Sequence, residues 1–377
     1  MAARRTALFL GAGASKPFGY PLTAEIMPRI LSELEQERLF SGTPDARKAR
    51  KNLHRLLLKL LPGYLDVYRR GHCIPITELL SLVDHLLHQG ATVPNTANRG
   101  DLQELRILLD RAISYVLRSP SASRARTKCL NDVVSWILRQ GSEDAPLSII
   151  STNYDIHLEH ALYKRFEEKG AKLSRSLSKI VDFGFSWRPE DEDNTVFHPP
   201  QRPLLRIYKL HGSVNWLRCP GCQHIYVNPY GQVTVWAYLQ KRHNYNLCVC
   251  GTWPLEPLIV APSLARLISD GTLPYLWQRA GEALRMADHW IIIGYSLPPE
   301  DTAIQSMLQR AYHGRVSASG EVRFPRVTVV QKLPRPDPRL REKPALTLQE
   351  ARYRTLFPEC EFMGDGFEGF VTTACRR

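Results

Sequence analysis

The sequence predicts an α/β protein built on a parallel sheet covered by helices, with a helical insertion and a small cysteine-containing module. Short, strongly apolar runs such as "TALFL" (6–10) alternate with amphipathic stretches, which is typical of parallel strands buried between helices. More than a hundred residues of helical periodicity separate the first apolar run from the second. Four cysteines lie close together between residues 219 and 250. Together these observations predict a Rossmann-like lobe interrupted by the insertion and joined to a metal-binding module.

The composition is that of a soluble globular protein. Hydrophobic residues make up 44% of the chain and charged residues 23%, which argues against wholesale disorder. The length of 377 residues favours two lobes over one. No apolar run approaches the roughly 20 residues that a membrane-spanning helix needs. The first ten residues lack the apolar segment and cleavage site of a signal peptide. We therefore expect a cytoplasmic protein with no membrane contact.

The net charge of +13 indicates an affinity for anions. The basic residues are spread over three runs, at 47–55, 118–128 and 335–343, and none of these runs has the interleaved aromatic residues of a single-strand platform. Solvated helix faces and loops explain the runs without a ligand. Nucleic acid stays open as a partner on charge alone.

The pattern along the chain predicts five strands. They lie at 6–10, 146–155, 204–217 (ending on His-Gly), 289–299 and 326–333, and helical periodicity fills 23–139, 277–287 and the stretch after 299. The region 171–205 is polar and proline-rich and reads as loop with some strand. The predicted organisation has six parts: residues 1–22, 141–205 and 263–335 form the Rossmann-like lobe, 23–140 the helical insertion, 206–262 the histidine strand and cysteine module, and 336–377 a C-terminal tail.

Small and polar residues follow four of these strands directly. Parallel sheets bind ligands beyond the carboxyl ends of their strands, so four such endings together are far more specific than any one of them. The endings are Gly11-Ala12-Gly13-Ala14-Ser15, Thr152-Asn153-Tyr154-Asp155, His211-Gly212-Ser213 and Gly294-Tyr295-Ser296.

The glycine turn is a candidate pyrophosphate site. Gly11 and Gly13 would let backbone N–H groups approach a phosphate, and the next helix would add its dipole. A tight strand-to-helix turn explains the same residues without a ligand. Lys16 stands where the dinucleotide fingerprint has its third glycine, which disfavours an ordinary NAD-dependent dehydrogenase.

Two strand ends carry candidate catalytic groups. Asn153 can hold a ribose or an attacking water, whereas Asp155 can either contribute to the site or simply cap the next helix. His211 titrates near neutrality, and the glycine after it leaves space for a substrate, which favours a general base over a buried structural histidine.

The four cysteines have the spacing of a metal site. Cys219 and Cys222 form a Cys-x2-Cys pair, and Cys248 and Cys250 follow 25 residues later as Cys-x-Cys. Four thiolates suit tetrahedral Zn²⁺, and the alternative is four unrelated reduced thiols. Because nothing nearby suggests an open coordination position, we expect the zinc to be structural.

Taken in order, "GAGAS", "TNYD", "KLHGS", the paired cysteines and "IIIGYSL" resemble the sirtuin superfamily, and most closely its bacterial sirtuin-like branch that cleaves NAD+. The resemblance covers roughly residues 5–335. It implies an NAD-binding lobe with a smaller lobe that carries zinc. The pyrophosphate would lie on Gly11, Ala12, Gly13, Ala14 and Ser15, and the nicotinamide-side ribose on Thr152, Asn153 and Asp155, with His211 as the base. Gly294 and Ser296 would contact the phosphates or the far ribose, and Gln331 the adenosine.

The departures from the family favour one activity. In place of the segment that follows the first glycines in protein deacylases, this chain has "KPFGYPLTAEI", and "LEPLIVAPS" replaces the strand that clamps the acyl-lysine peptide. The resemblance therefore implies an NAD+ hydrolase of anti-phage defence, a homo-oligomer that works with a HerA-type ATPase or an Argonaute-like partner. The alternatives are a protein deacylase or ADP-ribosyltransferase, and a non-catalytic module that senses NAD or ADP-ribose.

Overall fold

A computed structural model of the chain describes residues 5–90, 97–118, 123–189, 195–234, 247–252, 254–260, 272–299, 301–316, 320–333 and 346–375. The predicted boundaries near residues 263 and 335 and the basic run 335–343 lie outside these residues. The described residues contain eleven strands: β1 Thr6–Leu10, β2 Leu147–Ser151, β3 Val181–Asp182, β4 Trp187–Pro189, β5 Leu205–Lys209, β6 Gly212–Arg218, β7 Ile225–Val227, β8 Glu256–Ile259, β9 His289–Ile293, β10 Arg326–Val330 and β11 Glu361–Met363.

Twelve α-helices lie in the same residues. In the insertion they are α1 Thr23–Glu35, α2 Ala46–Leu60, α3 Tyr64–Arg69, α4 Ile76–His88, α5 Arg99–Val116 and α6 Arg124–Gln140. Those that follow are α7 His157–Tyr163, α8 Leu173–Ile180, α9 Thr272–Met286, α10 Thr302–His313, α11 Leu348–Leu356 and α12 Gly366–Phe370. None of these helices is long and apolar enough to cross a lipid bilayer.

The larger sheet has seven strands in the order β11-β10-β9-β1-β2-β5-β3, and every neighbouring pair is parallel. Its centre is apolar on both faces, as the runs of Ile, Leu and Val predict. Helices cover both faces of the sheet, as two successive residues of β5 show: Tyr208 contacts Arg279 of α9, whereas Lys209 contacts Glu159 of α7. The predicted fold class, a Rossmann-like parallel sheet covered by helices, is confirmed.

The insertion between β1 and β2 packs around α5. This helix contacts α1, α2 and α4, and it buries eleven of its eighteen residues. Its first turn is stabilised because Asn98 Oδ1 accepts from the Asp101 amide at 2.8 Å and Asp101 Oδ2 accepts from the Asn98 amide at 3.2 Å. Such a reciprocal cap contributes about 1 kcal/mol.

The smaller sheet shows that the predicted strand at 204–217 is wrong as one element. The chain ends β5 at Lys209, turns at Leu210 and His211, and begins β6 at Gly212 in a second sheet of order β4-β7-β6-β8. Gly212 has a φ of +78°, and a Cβ there would meet the Leu258 carbonyl oxygen at 1.9 Å. Only glycine fits this crossing, so the glycine after His211 joins the two sheets.

The end of the chain belongs to the main lobe. Strand β11 pairs with β10, and Tyr353 of α11 is buried and donates from its hydroxyl to the Tyr295 carbonyl at 2.8 Å. After α12 the chain continues as a π-helical turn, Val371–Cys375, that packs on α6. Residues 346–375 therefore reach the carboxyl edge of the sheet, where the candidate site lies.

Candidate ligand site at the carboxyl edge of the sheet

A cavity of about 750 Å³ opens at the carboxyl edge of the large sheet, and we call it the outer cavity. Its volume lies in the range of ligand pockets, about 300–1,000 Å³. Seven of the residues proposed from the sequence line it: Ala12, Gly13, Thr152, His211, Gly294, Ser296 and Gln331. All four strand endings, the glycine turn included, thus contribute residues to one place, as parallel topology requires.

A second and much smaller space lies behind the first, and we call it the inner chamber. Its volume of about 20 Å³ has room for one water molecule. Ala14, Ser15, Asn153 and Asp155 line it, together with His157. The two candidate catalytic residues are therefore separated, with His211 at the outer cavity and Asn153 in the inner chamber. Gly11 lines neither space.

The glycines of the first turn are required by close packing against the backbone of the turn after β9. A Cβ on Gly11 would lie 2.5 Å from Tyr295 Cα, and a Cβ on Gly13 would lie 2.7 Å from Gly294 Cα. Gly294 in turn has a φ of +64° and touches the backbone of Ala14. Two backbone turns pack directly on each other here, so the glycine pattern by itself is no sign of a phosphate.

The expected helix directly after the glycines is also absent from this turn. Two short 3-10 turns, Ala12–Ala14 and Lys16–Phe18, follow β1, and α1 begins only at Thr23. The first residues of α1 and α4 nevertheless line the outer cavity, through Thr23 and Thr77. Free N–H groups and the positive end of the helix dipole favour anions at such positions.

Asn153 is 9% exposed and its amide holds the glycine turn in place. The Nδ2 group donates to the Gly11 carbonyl at 3.0 Å and to Ser15 Oγ at 3.2 Å. Asp155 Oδ1 accepts at 3.2 Å from the amide of His157, the first residue of α7, so Asp155 binds the start of this helix although the N-cap position itself is Ile156. Both residues also line the inner chamber, so this contact with the helix start does not exclude a role of Asp155 in the site.

A buried lysine that the sequence reasoning missed fixes this turn. Lys209 is 2% exposed, and its Nζ donates to Glu159 Oε1 at 2.6 Å and to the Asp155 carbonyl at 2.5 Å. A lysine inside a buried strand is costly unless it is paired, which was the signal available in "KLHGS". Lys209 is thus a positioning residue for Asp155.

His211 is buried and its protonation state follows from that burial. It is 6% exposed, and desolvation lowers the pKa of its imidazole to about 4. The ring lies against the rings of Tyr154 and Trp277, with centroids 6.4 and 6.1 Å away. Within the described residues no hydrogen-bond partner occupies its ring nitrogens. His211 is therefore neutral at pH 7 and can accept a proton from a group in the outer cavity.

The insertion helps to hold His211 in place. Val260 donates from its amide to the His211 carbonyl at 2.9 Å, and Tyr154 donates from its hydroxyl to the Val260 carbonyl at 2.9 Å. One residue earlier, the Ile259 carbonyl accepts from Arg106 Nη2 of α5 at 3.0 Å. Arg106 is itself paired with Asp84 and Asp110 in the bundle core.

The turn after β9 is strained. Leu297 is buried and has a φ of +52°, a left-handed conformation that is rare for a leucine and costs about 1–3 kcal/mol.

Gln331 is 5% exposed; its Nε2 donates to the Tyr295 carbonyl at 2.6 Å, and no described residue donates to its Oε1. A buried acceptor without a donor is uncommon, and this one lies in a side chain that lines the outer cavity.

The four cysteines converge beside the small sheet. Their Sγ atoms all lie within 4.8 Å of one another, with Cys219 to Cys250 at 3.6 Å and Cys222 to Cys248 at 3.4 Å. Thiolates bound to one Zn²⁺ at about 2.3 Å in a tetrahedron stand at similar separations. The donor set and the spacing therefore fit a zinc ion held by these residues.

Comparison with known proteins identifies structural matches only. No family model matches the chain, and no curated protein matches it. A solved structure of Sir2 with a p53 peptide and NAD+ has a TM-score of 0.43 at 11% identity, over 99% of this chain and 92% of that chain. A Sir2 homologue with NAD has a TM-score of 0.42 at 14% identity, over 99% of this chain and 89% of that chain. These values are too low to assign the chain to a family.

Proposed function

We propose that the chain is an NAD+ glycohydrolase that cleaves NAD+ to nicotinamide and ADP-ribose. The observation that carries the proposal is the outer cavity, where the glycine turn, Thr152, neutral His211 and Gln331 line one space of about 750 Å³. The resemblance of these strand endings to sirtuin motifs supplies the choice of ligand. The first turns of α1 and α4 favour the pyrophosphate, and the unpaired Gln331 Oε1 suits the amino group of adenine.

The reaction breaks the bond between C1′ of the ribose and the nicotinamide nitrogen. The bonding electrons leave with nicotinamide, which becomes neutral, so no strong acid is needed to expel it. Positive charge grows on the ribose, and water then attacks C1′ and loses a proton. His211, neutral at pH 7, accepts that proton, or one from a ribose hydroxyl. Asn153 orients the water and the ribose hydroxyls. Its neutral amide cannot itself act as the base.

Zinc has a separate role in this proposal. Cys219, Cys222, Cys248 and Cys250 hold the ion, which when bound ties together the loops of the small sheet. No residue of this cluster lines the outer cavity or the inner chamber. A zinc ion held by these cysteines would therefore have a structural role.

Mass spectrometry of NAD+ incubated with the purified chain tests the activity. Free ADP-ribose and nicotinamide without an acceptor are the expected products. Turnover that requires an acyl-lysine peptide or a protein acceptor would instead indicate a deacylase or an ADP-ribosyltransferase. Binding without turnover would indicate a sensor.

The biological setting is part of the proposal and is supported by the resemblance alone. We propose an NAD-depleting effector of bacterial anti-phage defence that acts in the cytoplasm as a homo-oligomer, with a HerA-type ATPase or an Argonaute-like protein as partner. Cells that express the chain should lose NAD+ after phage infection and keep it without infection. Unchanged NAD+ in infected cells would contradict this setting.

A further inference from the structure

The inner chamber is too small for the chemistry proposed above. Asn153 and Asp155 face a space of about 20 Å³, which accommodates one water molecule and no ring. A ribose or a pyridine ring can reach these side chains only after the chamber enlarges.

Among the described residues, two line both the inner chamber and the outer cavity, namely Ile293 and Phe367. Ile293 is the last residue of β9 and is paired in register with Leu10 and Val330, so the sheet fixes its position. Phe367 lies on α12, outside the sheet. Its ring is 7% exposed and meets the ring of Phe18 edge-on, with centroids 5.3 Å apart.

The helix that carries Phe367 is a weak one. Helix α12 has five residues, "GFEGF", of which two are glycines, and each glycine in a helix costs about 1 kcal/mol relative to alanine. Gly366 enters the helix with a φ of +68° and donates from its amide to the Gln331 carbonyl at 3.1 Å. Helix α12 contacts β10 and β11 and continues into the π-helical turn that packs on α6. An element this short can shift while these two strands stay in place, as mobile parts of binding sites generally do.

We propose that Phe367 is the gate between the outer cavity and the inner chamber, so that the C-terminal segment keeps the site closed. The expected consequence of the gate, suppression of NAD+ cleavage, rests on the proposed function. In the closed state Phe367 and Phe18 keep the substrate away from Asn153 and Asp155. Movement of α12 opens the chamber, and a partner that binds the C-terminal segment would thereby activate the site.

The test compares Phe367→Ala with Phe362→Ala. Both variants remove a phenyl ring from the C-terminal segment, but Phe362 lines neither space. Nicotinamide binding is measured by calorimetry and NAD+ turnover by product analysis on each full-length protein. We expect Phe367→Ala to bind nicotinamide at least tenfold more tightly than the parent and to raise basal turnover at least tenfold, with Phe362→Ala unchanged. Phe367→Val serves as a second variant if the alanine variant does not fold.

The outcomes separate the gate from the hydrolase. Tighter nicotinamide binding in Phe367→Ala, with no NAD+ cleavage by any variant, would support the gate and overturn the hydrolase. Unchanged nicotinamide binding, with a parent that cleaves NAD+, would overturn the gate and leave the hydrolase standing. A loss of turnover in Phe367→Ala without tighter nicotinamide binding would also overturn the gate, because Phe367 would then be a wall that positions the substrate.

Discussion

His211 is neutral because it is buried, and its pKa gives the site a defined response to acid. Its imidazole pKa is lowered to about 4, and burial lowers the pKa of His157 in the inner chamber to about 4 as well. If His211 is the base, NAD+ turnover should persist at pH 5.5 and fall as pH approaches about 4. A base with an ordinary pKa would lose activity near pH 6.5.

The same two histidines should make the folded state sensitive to acid. Between pH 6.5 and 4 the unfolded chain binds protons at these positions and the folded chain does not, so the free energy of unfolding falls as pH falls through that window. At pH 5, about 1.5 units below the ordinary histidine pKa, each of the two histidines should lower the free energy of unfolding by about 2 kcal/mol, because one pH unit corresponds to about 1.36 kcal/mol. Urea unfolding of the parent and of the double variant His157→Gln, His211→Gln at pH 7.5 and 5.0 measures this loss of stability. Equal losses in both proteins would contradict the pKa shifts.

The residues proposed from the sequence lie around two neighbouring spaces at the carboxyl edge of the sheet, and their binding and catalytic roles stay predictions. The four strand endings predicted which residues meet, because parallel topology puts carboxyl ends together. Two interpretations of Gly11 and Gly13 are open from the sequence, a pyrophosphate site and a tight turn, and the backbone of Gly294 and Tyr295 against these glycines explains them without a ligand. A contact between turns nearly 300 residues apart has no local sequence signal. For the same reason the separation of Asn153 from His211 could not be predicted.

Among the elements, the cysteine module is the clearest test of a predicted metal. Cys222→Ser should lower the zinc content from one per chain and destabilise the small sheet, because metal binding at such sites is coupled to folding. Elemental analysis and thermal unfolding measure the two effects. Cys73→Ser is the matched control, since Cys73 is a half-buried free thiol outside the cluster. No zinc in the freshly purified parent would contradict the assignment.

Elements with strong local periodicity were predicted, and those set by distant contacts were not. Strand β1 matches its predicted bounds, because an apolar run with turn residues after it has few alternatives. The split at His211 was missed, since β5 and β6 read as one apolar run and only the left-handed Gly212 separates them. Helix α8 was missed in a polar, proline-rich region. Helix α12 has two glycines in five residues and depends on the packing of the lobe.

For the whole molecule, an enzyme that destroys NAD+ has to be controlled, and we expect the helical insertion to mediate self-association. An apolar groove of about 330 Å³ lies on the insertion between Met27, Leu31, Leu60 and Ile74. Val67 borders the groove and is 47% exposed. Val67→Glu should lower the mass measured by light scattering, because a charge at an apolar contact opposes association.

Val322→Glu is the control for this experiment, since Val322 is also 47% exposed and lies outside the insertion. It should leave the mass unchanged. We also expect the isolated chain to have low activity until a partner or signal acts on it. A strictly monomeric parent with full constitutive turnover would contradict both expectations.

The most direct measurement of the central claim is NAD+ turnover and NAD+ affinity in Asn153→Ala and His211→Ala, with His198→Ala as the control. His198 is exposed and lies outside both spaces of the site. Each site variant should lower turnover by about two orders of magnitude or more, the scale of a positioned acid–base group. Affinity should be largely kept, because the outer cavity supplies most of the contacts. Site variants that hydrolyse NAD+ as fast as His198→Ala would contradict the assignment of Asn153 and His211.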